Sequence, residues 1–253
     1  MTHTVFVVDA GNSRTKFGLF EHTENAVTPI RLGAVALGTQ RDIAGRLRKW
    51  VSDSQPDASI VAGSNPPVLE QLVEDWGSEL PTPTVIRRPA DLPVVLNVDQ
   101  PDAVGMDRVL NSLAAHHLYQ DQTVIVVDSG TTTTVDLVSK DGTFQGGSIF
   151  PGLRLSACAL HDYTARLPMI DVDAERQTLP QLPGRNTEEA IRAGLYWGQL
   201  GAIREIVQRL SESCSESPIV IVTGGAMPQL LPHLTNAIGI ESLPLHGLAL
   251  LFK

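Results

Sequence analysis

The sequence predicts a mixed α/β protein built from two related halves. Three observations carry the prediction. Short β-branched strands alternate with amphipathic helices along the 253 residues. A strand–turn–strand segment recurs at roughly half the chain length. Each copy of that segment opens a fresh run of strands and helices. A chain of this size can bury one large core or two modest ones.

The repeat is the sharpest of the three. FVVDAGNSRTKFGLF (Phe6 to Phe20) lies over IVVDSGTTTTVDLVS (Ile125 to Ser139) at a constant offset of 119 residues. Val7/Val126, Val8/Val127, Asp9/Asp128 and Gly11/Gly130 are identical, and Ser13/Thr132 are both hydroxyls. Self-similarity at this distance points to duplication and not to a solenoid, whose periods are about 20–50 residues. The halves divide as residues 1–119 and 120–253. At the constant offset Lys16 meets Val135, so the first hairpin alone carries a cation.

The elements follow in order. Val5 to Val8 reads as a strand, with Lys16 to Phe20 as its hairpin partner. Ile43, Leu47, Trp50 and Val51 share one face of a helix from about Arg41 to Ser52. Ser59 to Ala62 is a short strand ended by GSNPP, and the two prolines open a second helix carrying Leu69, Leu72 and Trp76. Thr84 to Arg88 is a strand, followed by a Pro- and Asp-rich loop to Val104. A third helix starts near Asp107. The second half runs through strands at Thr123 to Val127, Thr133 to Ser139 and Phe144 to Phe150, with a turn at Lys140-Asp141-Gly142. A helix from Leu153 to Ala165, an irregular stretch to Pro183, and the longest helix, Thr187 to Leu210, come next. The strand Ile219 to Val222, the turn TGG, a further helix and the apolar tail LPLHGLALLF close the second half.

Charge and composition exclude several function classes. The net charge is -9, and no basic cluster exceeds Arg87-Arg88 or Arg46/Arg48-Lys49. A nucleic-acid or anionic-membrane binder carries a cationic stripe, so neither partner is expected. No apolar run approaches the roughly 20 residues of a membrane span. MTHTVFVVDA has no basic n-region, and Cys158 and Cys214 fit no metal spacing, so a cytoplasmic location is expected.

Each hairpin tip, D-x-G-[NT]-[ST], has the chemistry of a phosphate cradle. Glycine lets a phosphate approach backbone N–H groups with no Cβ in the way. Asn, Ser and Thr add neutral donors. The acid at the strand end can hold a divalent cation through water. Lys16 supplies a point charge. Taken singly, such a tip is an ordinary turn; its repetition favours nucleotide binding.

Other motifs are weaker. In GMDR (Gly105 to Arg108), Asp107 reads either as a helix cap or as a base for a substrate hydroxyl, with Arg108 as a fork for an anion. GGSIFPG (Gly146 to Gly152) and TGG (Thr223 to Gly225) can approach a ligand or simply turn corners. Gly194, Gly198 and Gly201 form a stripe that suits close helix packing or a subunit contact. His116-His117 reads as helix surface.

Together, DAGNSRTK, GMDR, DSGTTTTVD, GGSIFPG and Asn186-Thr187, in this order, closely resemble the type III pantothenate kinases. The resemblance implies an actin/Hsp70/sugar-kinase fold: two ribonuclease-H-like half-domains flanking an ATP cleft. It implies transfer of the ATP γ-phosphate to the 4′-hydroxyl of pantothenate, the first step of coenzyme A synthesis. By resemblance, Asp9, Ala10, Gly11, Asn12, Ser13, Arg14, Thr15 and Lys16 bind ATP phosphates, with Asp9 near Mg²⁺ through water. Asp107 is the proton acceptor within the pantothenate-binding run Gly105, Met106, Asp107 and Arg108. Asp128 holds a monovalent cation, K⁺ or NH₄⁺, and Thr131 touches ATP. Thr187 reaches pantothenate across the interface of a homodimer formed through the second half.

Two positions depart from the family pattern. Val98 stands where many members carry an aromatic residue of the pantothenate pocket, and Ser129 replaces the aromatic common inside D-x-G-T. Two alternatives therefore stay open: a kinase for another small alcohol, and a regulatory homologue that keeps the nucleotide clamp without turnover.

Overall fold

A computed structural model describes residues 1–24, 26–37, 42–172 and 179–252. The predicted helix start at Arg41 lies outside them, as does part of the irregular stretch before Pro183. The chain forms two compact units. The first comprises Met1–Leu118, Gly142–Phe144 and the segment from Ser242 onward; the second comprises Tyr119–Asp141 and Gln145–Glu241.

The first unit contains β1 (His3–Ala10), β2 (Arg14–His22), β3 (Val27–Ala36), α1 (Ile43–Val51), β4 (Ala58–Ala62), α2 (Pro66–Glu74), β5 (Pro83–Val85) and α3 (Met106–Leu118). Its sheet has the order β3-β2-β1-β4-β5, antiparallel from β1 to β3 and parallel from β1 to β5. β1 is central and buried on both faces, which is why VFVV (Val5 to Val8) is continuously apolar and not alternating. Val5 and Val7 pack with Phe20, Ile60 and Leu110 on one face. Phe6, Val8 and Ala10 pack with Phe17, Leu47 and Leu69 on the other. α1 is capped by Asp42, which accepts from the Gly45 N–H at 2.6 Å. α2 is capped by Asn65, with prolines in its first turn as predicted. The guanidinium of Arg31 on β3 lies 4.0 Å from the Trp50 ring centroid and pins α1 to the sheet edge.

β3 is absent from the sequence reading. Its run VTPIRLGAVA has no fully buried residue at the sheet edge, where Pro29 is tolerated and no clean alternation is required.

The second unit repeats the plan with β6 (Val124–Ser129), β7 (Thr132–Val138), β8 (Phe144–Pro151), α4 (Leu153–Asp162), α5 (Thr187–Glu212), β9 (Ile219–Thr223), α6 (Met227–Leu230) and β10 (Ala237–Gly239). The sheet order is β10-β9-β6-β7-β8, so β6 to β10 stand to one another as β1 to β5 do. Ile125, Val127, Val135 and Val222 pack against Tyr196, Leu200 and Ile203 of α5. α4 stops at Asp162, shorter than expected, with the Tyr163 N–H closing on Ala159 O.

The apolar tail departs from expectation. It forms α7 (Leu243–Ala249) and completes the first unit, not the second. Leu245, Leu248 and Ala249 share the core of Val5, Val7 and Leu110. Gly247 makes this approach possible, since a Cβ there would fall 2.3 Å from Leu110 O.

Candidate active site

The first hairpin is a β1–β2 ladder ending at the pair Ala10↔Thr15, with Gly11–Arg14 as its tip. Asn12, Ser13 and Arg14 are exposed. The Gly11 N–H donates to Arg14 O at 3.2 Å, and a Cβ on Gly11 would fall 2.8 Å from that oxygen. The tip is therefore too tight for a side chain at position 11. The Leu37 N–H donates to Ser13 O, which ties the tip to the end of β3. One pair below, Asp9 is matched directly with Lys16 across the ladder. Asp9 is 3% exposed and Lys16 half-buried, so an acidic and a basic residue occupy matched positions on the two strands just below the exposed tip.

The second hairpin is one residue shorter. Its ladder ends at Ser129↔Thr133, leaving Gly130–Thr132 as the tip. The constant offset of 119 therefore fails inside the hairpin. The partner of Asp128 is Thr134, so Thr134 and not Val135 stands where Lys16 stands in the first half. Val135 faces the α5 core. The absence of a second cation survives the correction.

Three segments hold this second tip. The Gly152 N–H donates to Thr131 O at 3.0 Å, and a Cβ on Gly152 would fall 2.3 Å from Gly130 O. The Ala226 N–H donates to Ser129 O at 3.0 Å. Gly224 has φ +91° and lies so close that a Cβ would fall 2.5 Å from Asp128 Oδ1. GGSIFPG and TGG are thus corners packed on the hairpin. Gly225, with nothing within 4 Å of an added Cβ, is not needed for that packing. The third contact comes from Gln199 of α5, whose Nε2 donates to Ser129 Oγ at 2.7 Å and Thr133 Oγ1 at 2.9 Å.

GMDR forms the start of α3. Gly105 O accepts from the Arg108 and Val109 N–H groups, so Asp107 sits inside the first turn and is not the cap residue. Its Oδ1 still accepts from the Arg108 N–H at 2.9 Å, and a carboxylate there suits the positive end of the helix. Gly105 leaves room for it: a Cβ would fall 2.6 Å from Asp107 Oδ1. The Arg108 guanidinium carbon lies 5.1 Å from the Phe144 ring centroid. Met106 is buried in the first core, and Val98 packs against the same core.

Thr187 begins α5, where Asn186 caps the helix by accepting from the Glu189 N–H at 2.9 Å. Asn186 and Thr187 line a cleft of about 600 Å³ together with Leu160, Leu167, Ile191 and Leu195. Gly194 extends the cleft, and Gly194, Gly198 and Gly201 are exposed with nothing within 4 Å of an added Cβ. The stripe serves no packing among the described residues of this chain. His117 is exposed, whereas half-buried His116 packs on the turn at Gly142.

The donor sets fit oxygen-seeking cations held by one carboxylate each. Among the described residues no three His, Cys, Asp or Glu side chains form a ready cage. Asp128 is flanked in register by Thr134 and Thr223, and the buried Thr134 Oγ1 has no hydrogen-bond partner. A carboxylate beside neutral hydroxyl oxygens is the donor chemistry of a hard cation, not of a transition metal.

Two duplicated β-β-β-α-β units, each opening with a glycine-tipped hairpin whose first strand ends at an aspartate, define the actin/Hsp70/sugar-kinase fold. The fold is shared with the activator of 2-hydroxyisocaproyl-CoA dehydratase from Clostridium difficile, with a TM-score of 0.55 at 12% identity over 98% of this chain and 93% of that one. The chain belongs to the type III pantothenate kinase family: the family model of that name matches residues 5–209. The type III pantothenate kinase of Acidiphilium cryptum is 34% identical, covering 97% of this chain and 92% of its own. That of Rhodospirillum rubrum is 32% identical over 98% of each chain. The protein is accordingly an ATP-dependent kinase with pantothenate kinase function. Among the described residues no helix is long and apolar enough to cross a membrane.

Proposed function

We propose that the chain moves the γ-phosphoryl group of ATP to the 4′-hydroxyl of pantothenate with the following division of labour. Asp9, Ala10, Gly11, Asn12, Ser13, Arg14, Thr15 and Lys16 receive the ATP phosphates, and Thr131 at the second tip touches the same nucleotide. The observation that carries this reading is the cross-strand pair of Asp9 and Lys16 beneath an exposed glycine turn. Lys16 offsets charge on the transferring group, and the tip N–H groups do the same without reorganising. Asp107 accepts the hydroxyl proton as the bond to phosphorus forms. A carboxylate is too weak to remove that proton early, but positioning dominates phosphoryl transfer and the proton leaves late. Gly105, Met106 and Arg108 complete the pantothenate run, with Arg108 facing the substrate carboxylate as a fork.

Asp9 would hold Mg²⁺ through water, and Asp128 would hold K⁺ or NH₄⁺; both ions supply positive charge against the polyphosphate. The uncovered glycine stripe and the cleft at Thr187 support a homodimer, in which Thr187 serves pantothenate bound to the partner chain. ATP as donor assigns the reaction to the cytoplasm.

The test is direct. Purified protein is mixed with ATP, Mg²⁺ and pantothenate, with and without K⁺ or NH₄⁺, and ADP release is followed. Pantothenate-dependent ADP, raised by the monovalent cation, is the expected result. No such ADP under any cation condition overturns the reading. Sedimentation at micromolar concentration checks the dimer.

A further inference from the structure

The carboxamide of Gln199 sits where the second hairpin leaves its sheet. Ser129 and Thr133 are the last matched pair of the β6–β7 ladder. Their hydroxyl oxygens are 3.2 Å apart, and Gln199 Nε2 donates to both, at 2.7 and 2.9 Å. All three side chains are buried, at 1%, 0% and 7% exposure for Ser129, Thr133 and Gln199. An amide nitrogen has two hydrogens, so a single group satisfies two strands at once.

The first half shows that the fold does not need this tie. The matching pair there is Ala10↔Thr15. Ala10 carries no hydroxyl, and the Thr15 Oγ1 is buried without a hydrogen-bond partner. The same strand ending thus folds with an unsatisfied threonine in one half and a doubly held pair in the other. What differs is the tip above it. The first tip carries Asn12, Ser13 and Arg14, and a lysine on the strand below; the second has only Gly130, Thr131 and Thr132.

We propose that Gln199 is a positioning residue for the second hairpin, holding the Ser129–Thr133 pair so that Asp128 and Thr131 keep the geometry their ligands require. The proposal rests on the reading that Asp128 holds a monovalent cation and Thr131 touches ATP. Asp128 directly precedes Ser129, and Thr131 lies two residues beyond it. Rotation of the Ser129–Thr133 pair therefore turns the carboxylate and displaces the tip together. The hydroxyls can still bond each other when Gln199 is removed, but the hydrogen bonds from α5 to the pair are then lost, leaving apolar packing to hold the strands on that helix.

The experiment uses the full chain and four variants: Gln199→Leu, Thr133→Val, the triple replacement Ser129→Ala/Thr133→Val/Gln199→Leu, and Asp128→Asn. Each is measured for the KM of ATP, the KM of pantothenate, kcat, the K⁺ concentration for half-activation, and the unfolding midpoint with and without ATP. Loss of one buried hydrogen-bond partner corresponds to about a tenfold change in an equilibrium constant. Gln199→Leu is expected to raise the KM of ATP and the half-activating K⁺ by about that factor, and to shrink the ATP-induced midpoint shift. The KM of pantothenate stays within about twofold.

The triple variant separates positioning from packing. Replacing every polar partner removes the cost of orphaned groups, so its midpoint recovers, while its KM for ATP stays raised. Thr133→Val moves both ATP and K⁺ constants in the same direction by less, and stands in if Gln199→Leu does not fold. A lowered midpoint with ATP and K⁺ constants at the wild-type level in Gln199→Leu, or in Thr133→Val in its place, overturns the proposal. If Asp128→Asn loses K⁺ activation while the Gln199 and Thr133 variants keep it, the proposal fails alone. If none of the variants changes K⁺ activation, the reading of the hairpin fails and takes the proposal with it.

Discussion

Asp9 and Lys16 are directly matched across the β1–β2 ladder, whereas the equivalent pair in the second half is Asp128 and Thr134. The duplicated scaffold thus carries a carboxylate at both strand ends and a cation at only one. Any positive charge at the second tip would come from outside the hairpin, and the proposed monovalent cation at Asp128 is one source of it.

Lys16→Met keeps the length of the side chain and removes its charge. The residue is half-buried near the exposed end of its strand, with buried Thr15 and Phe17 on either side, so the fold is expected to survive. kcat/KM for ATP is expected to fall by about a hundredfold or more, as when one preorganised charge donor is lost from a transition state. Steady-state kinetics and a thermal melt check both statements.

Asp107→Asn preserves an acceptor for the Arg108 N–H, so the start of α3 is kept. Losing the proton acceptor is expected to lower kcat by about 10²–10⁴-fold. A kcat near wild type would return Asp107 to a purely structural role at the helix start.

Gly224→Ala puts a Cβ 2.5 Å from both Asp128 Oδ1 and Ser129 O at a residue with φ +91°. Backbone strain and the forced shift together cost about 2 kcal/mol or more, which lowers Tm by about 4–8 °C in a chain of this size. Gly225→Ala is the control, because its added Cβ meets nothing within 4 Å. Differential scanning calorimetry of the two variants distinguishes a packing glycine from a merely permissive one.

His246 on α7 stands edge-on to Phe20, with ring centroids 5.1 Å apart, and burial holds its pKa below the usual 6.5. The folded chain keeps the ring neutral while the unfolded chain takes up a proton. Its contribution to stability is therefore present above pH 6.5 and lost as pH falls through the folded pKa. One such group changes stability by at most about 1.4 kcal/mol per pH unit. His246→Gln is expected to flatten the fall in urea midpoint below pH 6.5, relative to wild type.

The hairpins, GMDR and the long helix are legible in the sequence because each is local: a strand, a glycine, a cap and a helical face lie within a few residues. The edge strand β3 is not, because its run is interrupted by Pro29 and Arg31 and its core contacts, Val27, Leu32 and Val35, follow no strict alternation. The counterpart of Lys16 is misassigned by one position, as Val135 and not Thr134, because the two tips differ by one residue and a gapless comparison carries that error into the return strand. Gln199 is invisible for another reason. It meets Ser129 and Thr133 across 70 and 66 residues, and a glutamine on an amphipathic helix gives no sign that it turns inward. Ser129, read from the sequence only as a departure from the family pattern, is one of the two side chains it holds.

The position of α7 bears on how the chain comes to be folded at all. Leu245 and Leu248 belong to the same core as Val5 and Val7, so the amino-terminal half is a discontinuous domain. On one face, the core of the first sheet is completed only by residues synthesised after the whole of the second sheet. The second unit, encoded between, has every strand of its own sheet in hand before then. A stop codon just before Leu243 would therefore damage the unit whose strands are translated first, while leaving every strand of the second sheet in place.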